Sequence, residues 1–365
     1  MKSTKLKVIT IGFSISFVMV FLVGCLTPQQ FYSNDIFTAV TDPEEGNVQV
    51  TILTKESDIV EGPQTMLKTE AYANGNTMVN TEVLMWNTAT YLAVSPDGKN
   101  FTFLGNNNNS SNLFIRSTEG GAAAIQRTFR NDVEDFTYSK DGKYLSFSDR
   151  VGVGSYSNLN IYMIDVNKGS AVRQIASGNE DEQNPEFSDD GNLLFYSKNN
   201  NGNYTLWSQD LKSGLMTQYS EGFNPCIVPN TGSKQLFVTR RAKNSTRTEI
   251  WRVGIDGDGE SQYITDSRRS FSSPKVSPNG KYLLCTGSTP KSNSRPSNLD
   301  LYLYKIDGTG ETQLTFHPGT DASAVWAPDS KSILFISSRG SITNKYNVWR
   351  MNIEKFLDDS SSPKK

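Results

Sequence analysis

Ser95-Pro96-Asp97-Gly98, followed by Lys99 and an apolar run, is the stretch that decides the fold. Four residues of this kind suit a type I turn: Pro presets φ at the second position, Ser and Asp side chains bond nearby amides, and Gly relieves the fourth position. The turn returns as Ser139-Lys140-Asp141-Gly142, Ser188-Asp189-Asp190-Gly191, Pro229-Asn230-Thr231-Gly232, Ser277-Pro278-Asn279-Gly280 and Ala327-Pro328-Asp329-Ser330. Starts at 95, 139, 188, 229, 277 and 327 are 44, 49, 41, 48 and 50 residues apart. A period of that size in β-rich units marks a propeller, and six turns predict six blades.

Working outward from each turn gives the strands of a blade. An apolar position precedes each one (Val94, Tyr138, Phe187, Val228, Val276, Trp326) and closes a first strand nearest the axis. A four-residue apolar run such as Tyr144-Leu145-Ser146-Phe147 or Ile333-Leu334-Phe335-Ile336 follows it, suited to a strand covered on both faces. A third strand carries an aliphatic-aromatic pair whose aromatic is Phe114, Tyr162, Trp207, Trp251, Tyr302 or Trp349. These aromatics are expected to pack between neighbouring blades. Fourth strands are predicted at 124–128, 171–176, 215–219, 260–265 and 311–315. The sixth blade has none, which would leave an open edge. The alternating segment Val48-Gln49-Val50-Thr51-Ile52-Leu53-Thr54 is predicted to supply it, fastening the two ends of the chain together. The fold class is therefore all-β: a six-bladed β-propeller of four-stranded antiparallel blades, closed by an N-terminal strand that completes the last blade. Residues 55–89 read as a long loop or hairpin.

The sequence has 365 residues, 36% hydrophobic and 20% charged, and a formal net charge of −2 from 36 basic and 38 acidic side chains. That balance, with no basic stripe, excludes nucleic acid as the expected partner. Lys2, Lys5 and Lys7 precede an apolar run from Val8 to Val23, too short for a membrane span of roughly 20 residues and suited to an export signal. The run ends in Leu22-Val23-Gly24-Cys25, which resembles the lipobox of bacterial lipoproteins. That resemblance implies a signal peptide over 1–24, a lipidated Cys25 anchoring the protein to a membrane, and a tether over 25–46. Leu26 after the cysteine implies the outer membrane, facing the periplasm. Cys226 and Cys285 are expected as buried thiols, not a bridge. The propeller is assigned to 47–354, as a monomer, and a disordered polar tail to 355–365.

The repeated Ser-Pro-Asp-Gly-Lys, Asp300-Leu301-Tyr302 and Gln313-Leu314-Thr315 make the chain similar to the TolB-like, WD40-like propeller repeats called PD40. The likeness runs over about 48–353 and is strongest from Ser277 to Gly340. It implies a binding propeller, as in TolB, the periplasmic component of the Tol–Pal system whose propeller binds the lipoprotein Pal. Related propellers gate peptidases of the prolyl oligopeptidase and dipeptidyl peptidase class. The sequence departs from both: the lipid anchor and tether stand where TolB carries an α/β domain, and the hydrolase domain of the peptidases is missing.

The residue inventory points away from catalysis. His317 is the only histidine, and no Gly-x-Ser-x-Gly elbow is present, so a Ser–His–Asp triad has little to build on. No cofactor and no metal site is expected. In a propeller the links from fourth to first strand share one face with the hairpins between second and third strands. Those links carry Arg130, Asp132, Glu134, Glu182, Asn184, Arg268, Arg269, His317 and Asp321. Mixed charge on a rigid concave face suits recognition of a protein or peptide. The expected function is a non-enzymatic protein-interaction scaffold or assembly factor of the cell envelope. A binder of extracellular glycan or peptide is the alternative, with an envelope hydrolase or lyase behind it.

Overall fold

Six blades of four antiparallel strands, two of them extended by a fifth strand, make up the computed structural model, as the turn count predicts. It describes residues 91–357 except 108–109, 120–123, 131, 153–156, 169–171, 233, 256–258, 265, 267, 290–297, 317–318 and 338–346; ahead of these it describes 39–40, 50–52 and 59–60. The first strands, blade by blade, are Leu92–Val94, Val133–Tyr138, Asp181–Phe187, Phe223–Ile227, Phe271–Val276 and Asp321–Trp326. Each pairs with the strand after its turn, and third and fourth strands follow outward.

The repeated turn works through local hydrogen bonds. In blade two the Ser139 hydroxyl donates to the Asp141 carboxylate at 2.6 Å, and the same carboxylate accepts from the Lys143 amide at 3.0 Å. The Tyr144 amide donates back to Ser139 Oγ at 2.9 Å, and the Gly142 amide to the Ser139 carbonyl at 2.8 Å. Gly142 sits at φ +71, where an L side chain is strained. Ser95/Asp97, Ser188/Asp190 and Ser277/Asn279 repeat the hydroxyl-to-carboxylate or hydroxyl-to-amide bond at 2.6, 2.6 and 2.7 Å. In blade four Val228 takes the place of the serine: its amide donates to the Gln235 carbonyl, so the first strand ends one residue earlier, at Ile227.

The ring closes as the alternation of 48–54 predicts. Val50–Ile52 lies antiparallel to Asn347–Asn352, with Val50 opposite Met351, Thr51 opposite Arg350 and Ile52 opposite Trp349. The segment does more than complete blade six. Ala39–Val40 adds a fifth strand outside it, and Ile59–Val60 pairs in parallel with Ala124–Gln126 at the edge of blade one. One stretch of chain therefore reaches the outer edges of the two blades that flank the closure. The rest of 55–89 lies outside the described residues, as do the signal segment, Cys25, His317 and the tail beyond 357.

The core is a set of aromatic and aliphatic layers between blades. Of the six third-strand aromatics, Phe114, Tyr162, Tyr302 and Trp349 are buried between blades as expected. Trp207 and Trp251 are only half-buried, each beneath a cation: Lys198 Nζ at 4.7 Å and the Arg240 guanidinium at 4.7 Å from the ring centre. Blade five shows how tightly the layers are filled. Phe271 and Tyr302 meet edge to face, centroids 5.5 Å apart, over Gly287. A Cβ on Gly287 would stand 2.6 Å from Tyr302 and 2.7 Å from Phe271. Gly287→Ala is therefore expected to lower stability by about 1–3 kcal/mol through overpacking. Denaturant titration would show this as a lower midpoint at unchanged slope; a midpoint equal to the parent's would mean that the ring pair moves aside freely.

Candidate functional site

The first strands of blades two to six share a defect that builds the site. Register shifts fall at Val133/Asp135, Gln183/Glu186, Phe223/Cys226, Ser272/Lys275 and Ala322/Val325. Each bulge opposes extra residues to the second strand and turns the backbone. Asn184, Asn224, Ser273 and Ser323 occupy these bulges at φ +56, +51, +54 and +51, a left-handed conformation that Asn tolerates best. Tyr91 in blade one and Asp135 in blade two hold the corresponding place, three residues before the last residue of the strand. All six side chains line one cavity of about 180 Å³ on the axis of the ring.

Four of them are wired together. The Asn184 side-chain amide donates to Tyr91 Oη at 2.8 Å and to Asp135 Oδ2 at 2.9 Å. The Asn184 backbone amide donates to the same Oδ2 at 2.8 Å. Tyr91 Oη donates in turn to Asn224 Oδ1 at 3.1 Å, while the Asn224 amide approaches Asn184 Oδ1 at 3.3 Å. The other carboxylate oxygen of Asp135 accepts from the Ser148 hydroxyl. Tyr91 thus reaches from blade one across the axis to blades three and four. Burial pushes the Asp135 carboxyl up to about 6 against these hydrogen bonds, and burial also raises the Tyr91 phenol well above its ordinary value.

A second cavity of about 740 Å³ opens among the repeated turns at the opposite end of the axis. Leu92, Phe136, Lys275 and Val325 line both cavities and mark where they meet. Glu186 and Cys226 line the larger one; the Glu186 carboxylate accepts from the Thr137 hydroxyl at 3.3 Å, and burial pushes the Cys226 thiol up to about 11.

The residues expected on the recognition face are distributed differently from a charged loop surface. Glu134, Glu182, Asn184 and Asp321 belong to first strands, not to the links between blades. Glu182 and Asp321 are fully buried. Lys198 Nζ stands 3.5 Å from Glu182, whose carboxyl burial pushes up to about 7. Arg130 is held by Asp149 at 2.7 Å and lies 4.5 Å over the Tyr162 ring. Glu134 pairs with Arg150, and burial raises its carboxyl, as it does that of neighbouring Asp132. Arg269 is clamped by Asp266 at 2.6 Å and Glu311 at 2.8 Å, while Arg268, with a side chain 79% exposed, pairs more loosely with Asp266 at 3.6 Å. Of the eight that are described, only Asn184 lines the axial cavity; His317 lies outside the described residues.

The turn and strand pattern does not single out Tyr91, Asn224, Ser272, Ser273, Lys275 or Ser323, and it marks Asp135 only as the neighbour of Glu134 in a carboxylate pair. A signal for several was present: Asn184-Pro185, Asn224-Pro225 and Ser273-Pro274 recur at one place in consecutive repeats. Among the described residues no group of three or more His, Cys, Asp or Glu could hold a metal ion.

A sequence profile described as TolB beta propeller domain matches residues 73–261. The Tol-Pal system protein TolB of Wolinella succinogenes is 33% identical over 113 residues, 31% of this chain and 25% of that protein. A solved structure of a putative TolB from Agrobacterium tumefaciens superposes with a TM-score of 0.54 at 20% identity, over 72% of this chain and 89% of that one. Oligogalacturonate lyase from Vibrio parahaemolyticus superposes with a TM-score of 0.56 at 13% identity, over 89% and 99%. At such identities the two superpositions speak for the shared propeller alone.

Proposed function

The chain belongs to the TolB β-propeller family, and from that premise we propose that it docks another envelope protein at the mouth of its axial cavity without catalysing a reaction. The observation that carries this reading is the cavity itself: all six blades converge on it, five of them through bulged first strands, and its Tyr91–Asn184–Asp135 wall is held by hydrogen bonds before any partner arrives. Large apolar side chains stand exposed on the same end of the ring. Phe129, in the link into blade two, is 73% exposed, and Leu299, at the start of the third strand of blade five, lines the cavity. Such residues at a polar rim suit a protein contact. The Wolinella relative carries a name from the Tol-Pal system, which favours a protein partner in the envelope. The lipobox-like Leu22-Val23-Gly24-Cys25 favours lipid anchoring there, with the propeller in the periplasm.

Photo-crosslinking in intact cells tests the reading. A crosslinker at position 129 or 299 is expected to trap one and the same envelope protein. A crosslinker at Leu215, 69% exposed in the link between third and fourth strands on the opposite end, is not. Equal capture from both ends, or none from the cavity rim, would overturn the docking assignment.

A further inference from the structure

The walls of the axial cavity differ in what they leave unused. On the side of blades one to four, the polar groups of Tyr91, Asp135, Asn184 and Asn224 engage one another. On the blade-five side stand Ser272, Ser273, Lys275 and Thr286. Among the described residues, no hydrogen bond or ion pair engages the side chains of these four. All four are donors, and one carries a full positive charge. The Lys275 backbone is fixed, since its carbonyl accepts from Trp326 Nε1 at 2.9 Å, so the side chain starts from a set place in the ring. The one acid on the opposite wall, Asp135, has its oxygens occupied by Ser148 and Asn184. Apart from Ser323 of blade six, the remaining lining is apolar: Leu92, Phe136, Leu299, Ala322, Ala324 and Val325, with prolines 185 and 225.

A donor wall with one unpaired ammonium, facing apolar side chains, is built for a carboxylate carried on an apolar body. Size narrows the choice. About 180 Å³ is below the roughly 300–1,000 Å³ of pockets that enclose whole small-molecule ligands, and it suits a single amino-acid residue. An internal Asp or Glu could reach Lys275 only by drawing chain past the rim on both sides. A chain end brings its charge at the tip.

We propose that the cavity captures the C-terminal residue of an extended segment of the docked partner, with the α-carboxylate on Lys275, Ser272, Ser273 and Thr286 and an apolar last side chain against Leu299 and Val325. This rests on the docking reading and names the chemistry that the partner brings to it. Capture of a terminal carboxylate by oriented donors is a recurrent mode of peptide recognition.

The test uses the full chain and an array of random hexapeptides made twice, with free C-terminal carboxylates and with C-terminal amides. The free-acid array is expected to give binders with apolar last residues. Amidating the best of them should weaken binding about 10- to 100-fold, the range of a charge-assisted hydrogen bond. Lys275→Met should remove that acid-over-amide preference while leaving the melting temperature unchanged, because no folded-state partner of the ammonium is lost. Equal binding of acid and amide, preference for an internal acid, or no enrichment in either array would overturn the inference. Its failure is separable from that of the docking reading. If the crosslinks from positions 129 and 299 persist unchanged in Lys275→Met while the peptides show no acid preference, docking stands and the carboxylate site falls.

Discussion

Replacing Trp349 by alanine should lower the stability of the protein by about 3–5 kcal/mol, the range for emptying a large buried aromatic site. Trp349 is fully buried in the third strand of blade six. It packs in one cluster with Tyr282, Leu284, Leu301 and Leu303 of blade five and Trp326, Ile333 and Phe335 of its own blade. It also pairs on one side with Phe335 and on the other with Ile52 of the closing strand. The cavity left by alanine would therefore open at the seam between the last two blades, on the strand to which the closing strand pairs. Trp349→Phe makes a sharp control. The indole N–H of Trp349 is buried without a hydrogen-bond partner, so phenylalanine gives up packing volume but removes an unsatisfied donor. It should cost clearly less than alanine. Denaturant midpoints at unchanged slope measure both. An alanine variant within about 1 kcal/mol of the parent would show that the seam collapses around the gap and contributes little to ring closure.

The parts of this fold that could be read from sequence are those fixed by hydrogen bonds a few residues apart or by simple alternation. Ser139, Asp141 and Gly142 specify their turn through contacts within five residues, so the pattern survives as a string of letters and counts the blades. The closing strand was legible because 48–54 alternates and one blade lacked a fourth strand. The site was not, and the reason is the bulge. In Asp181–Phe187 the register breaks between Gln183 and Glu186, so the inside-outside period of two is interrupted where the chain meets the axis. Polar residues such as Glu182 and Asn184 then resemble loop residues, although they lie in the strand nearest the axis. The bond from Tyr91 to Asn224 spans 133 residues, and no local pattern announces it. The charges expected to face a partner were assigned without their counter-ions: Arg130 answers to Asp149 and Arg269 to Asp266 and Glu311, pairs that only the folded ring brings together.

The buried carboxyls make stability rise on mild acidification, against the usual trend. Asp135 goes from an ordinary 3.8 to about 6 in the fold because burial disfavours its charge. Glu182 goes from 4.5 to about 7 for the same reason, with Lys198 opposing. For an acid whose folded value is raised, the folded state holds the proton more tightly than the unfolded chain. Its contribution is complete below the unfolded value and is lost as pH rises through the folded one. For Asp135 the difference between 3.8 and about 6 is worth roughly 3 kcal/mol, lost progressively between about pH 4 and 7. The turn aspartates act in the other direction. Serine hydroxyls and backbone amides hold Asp97, Asp141 and Asp190 below the ordinary 3.8, so their contribution is lost only as pH falls further. The two sets together place the maximum of stability near about pH 4–5, with a decline towards neutrality. Asp135→Asn isolates the cause that lies in the axial network. The amide oxygen can still accept both Asn184 donors, and its NH₂ can meet Ser148 Oγ, so the network keeps its shape without a charge to bury. Denaturant midpoints between pH 4.5 and 7.5 should fall for the parent and fall distinctly less for the variant, which should equal or exceed the parent at pH 7.5. Parent stability that climbs over that range, or a variant with the parent's full decline, would show that the Asp135 proton is not what couples the axial network to pH.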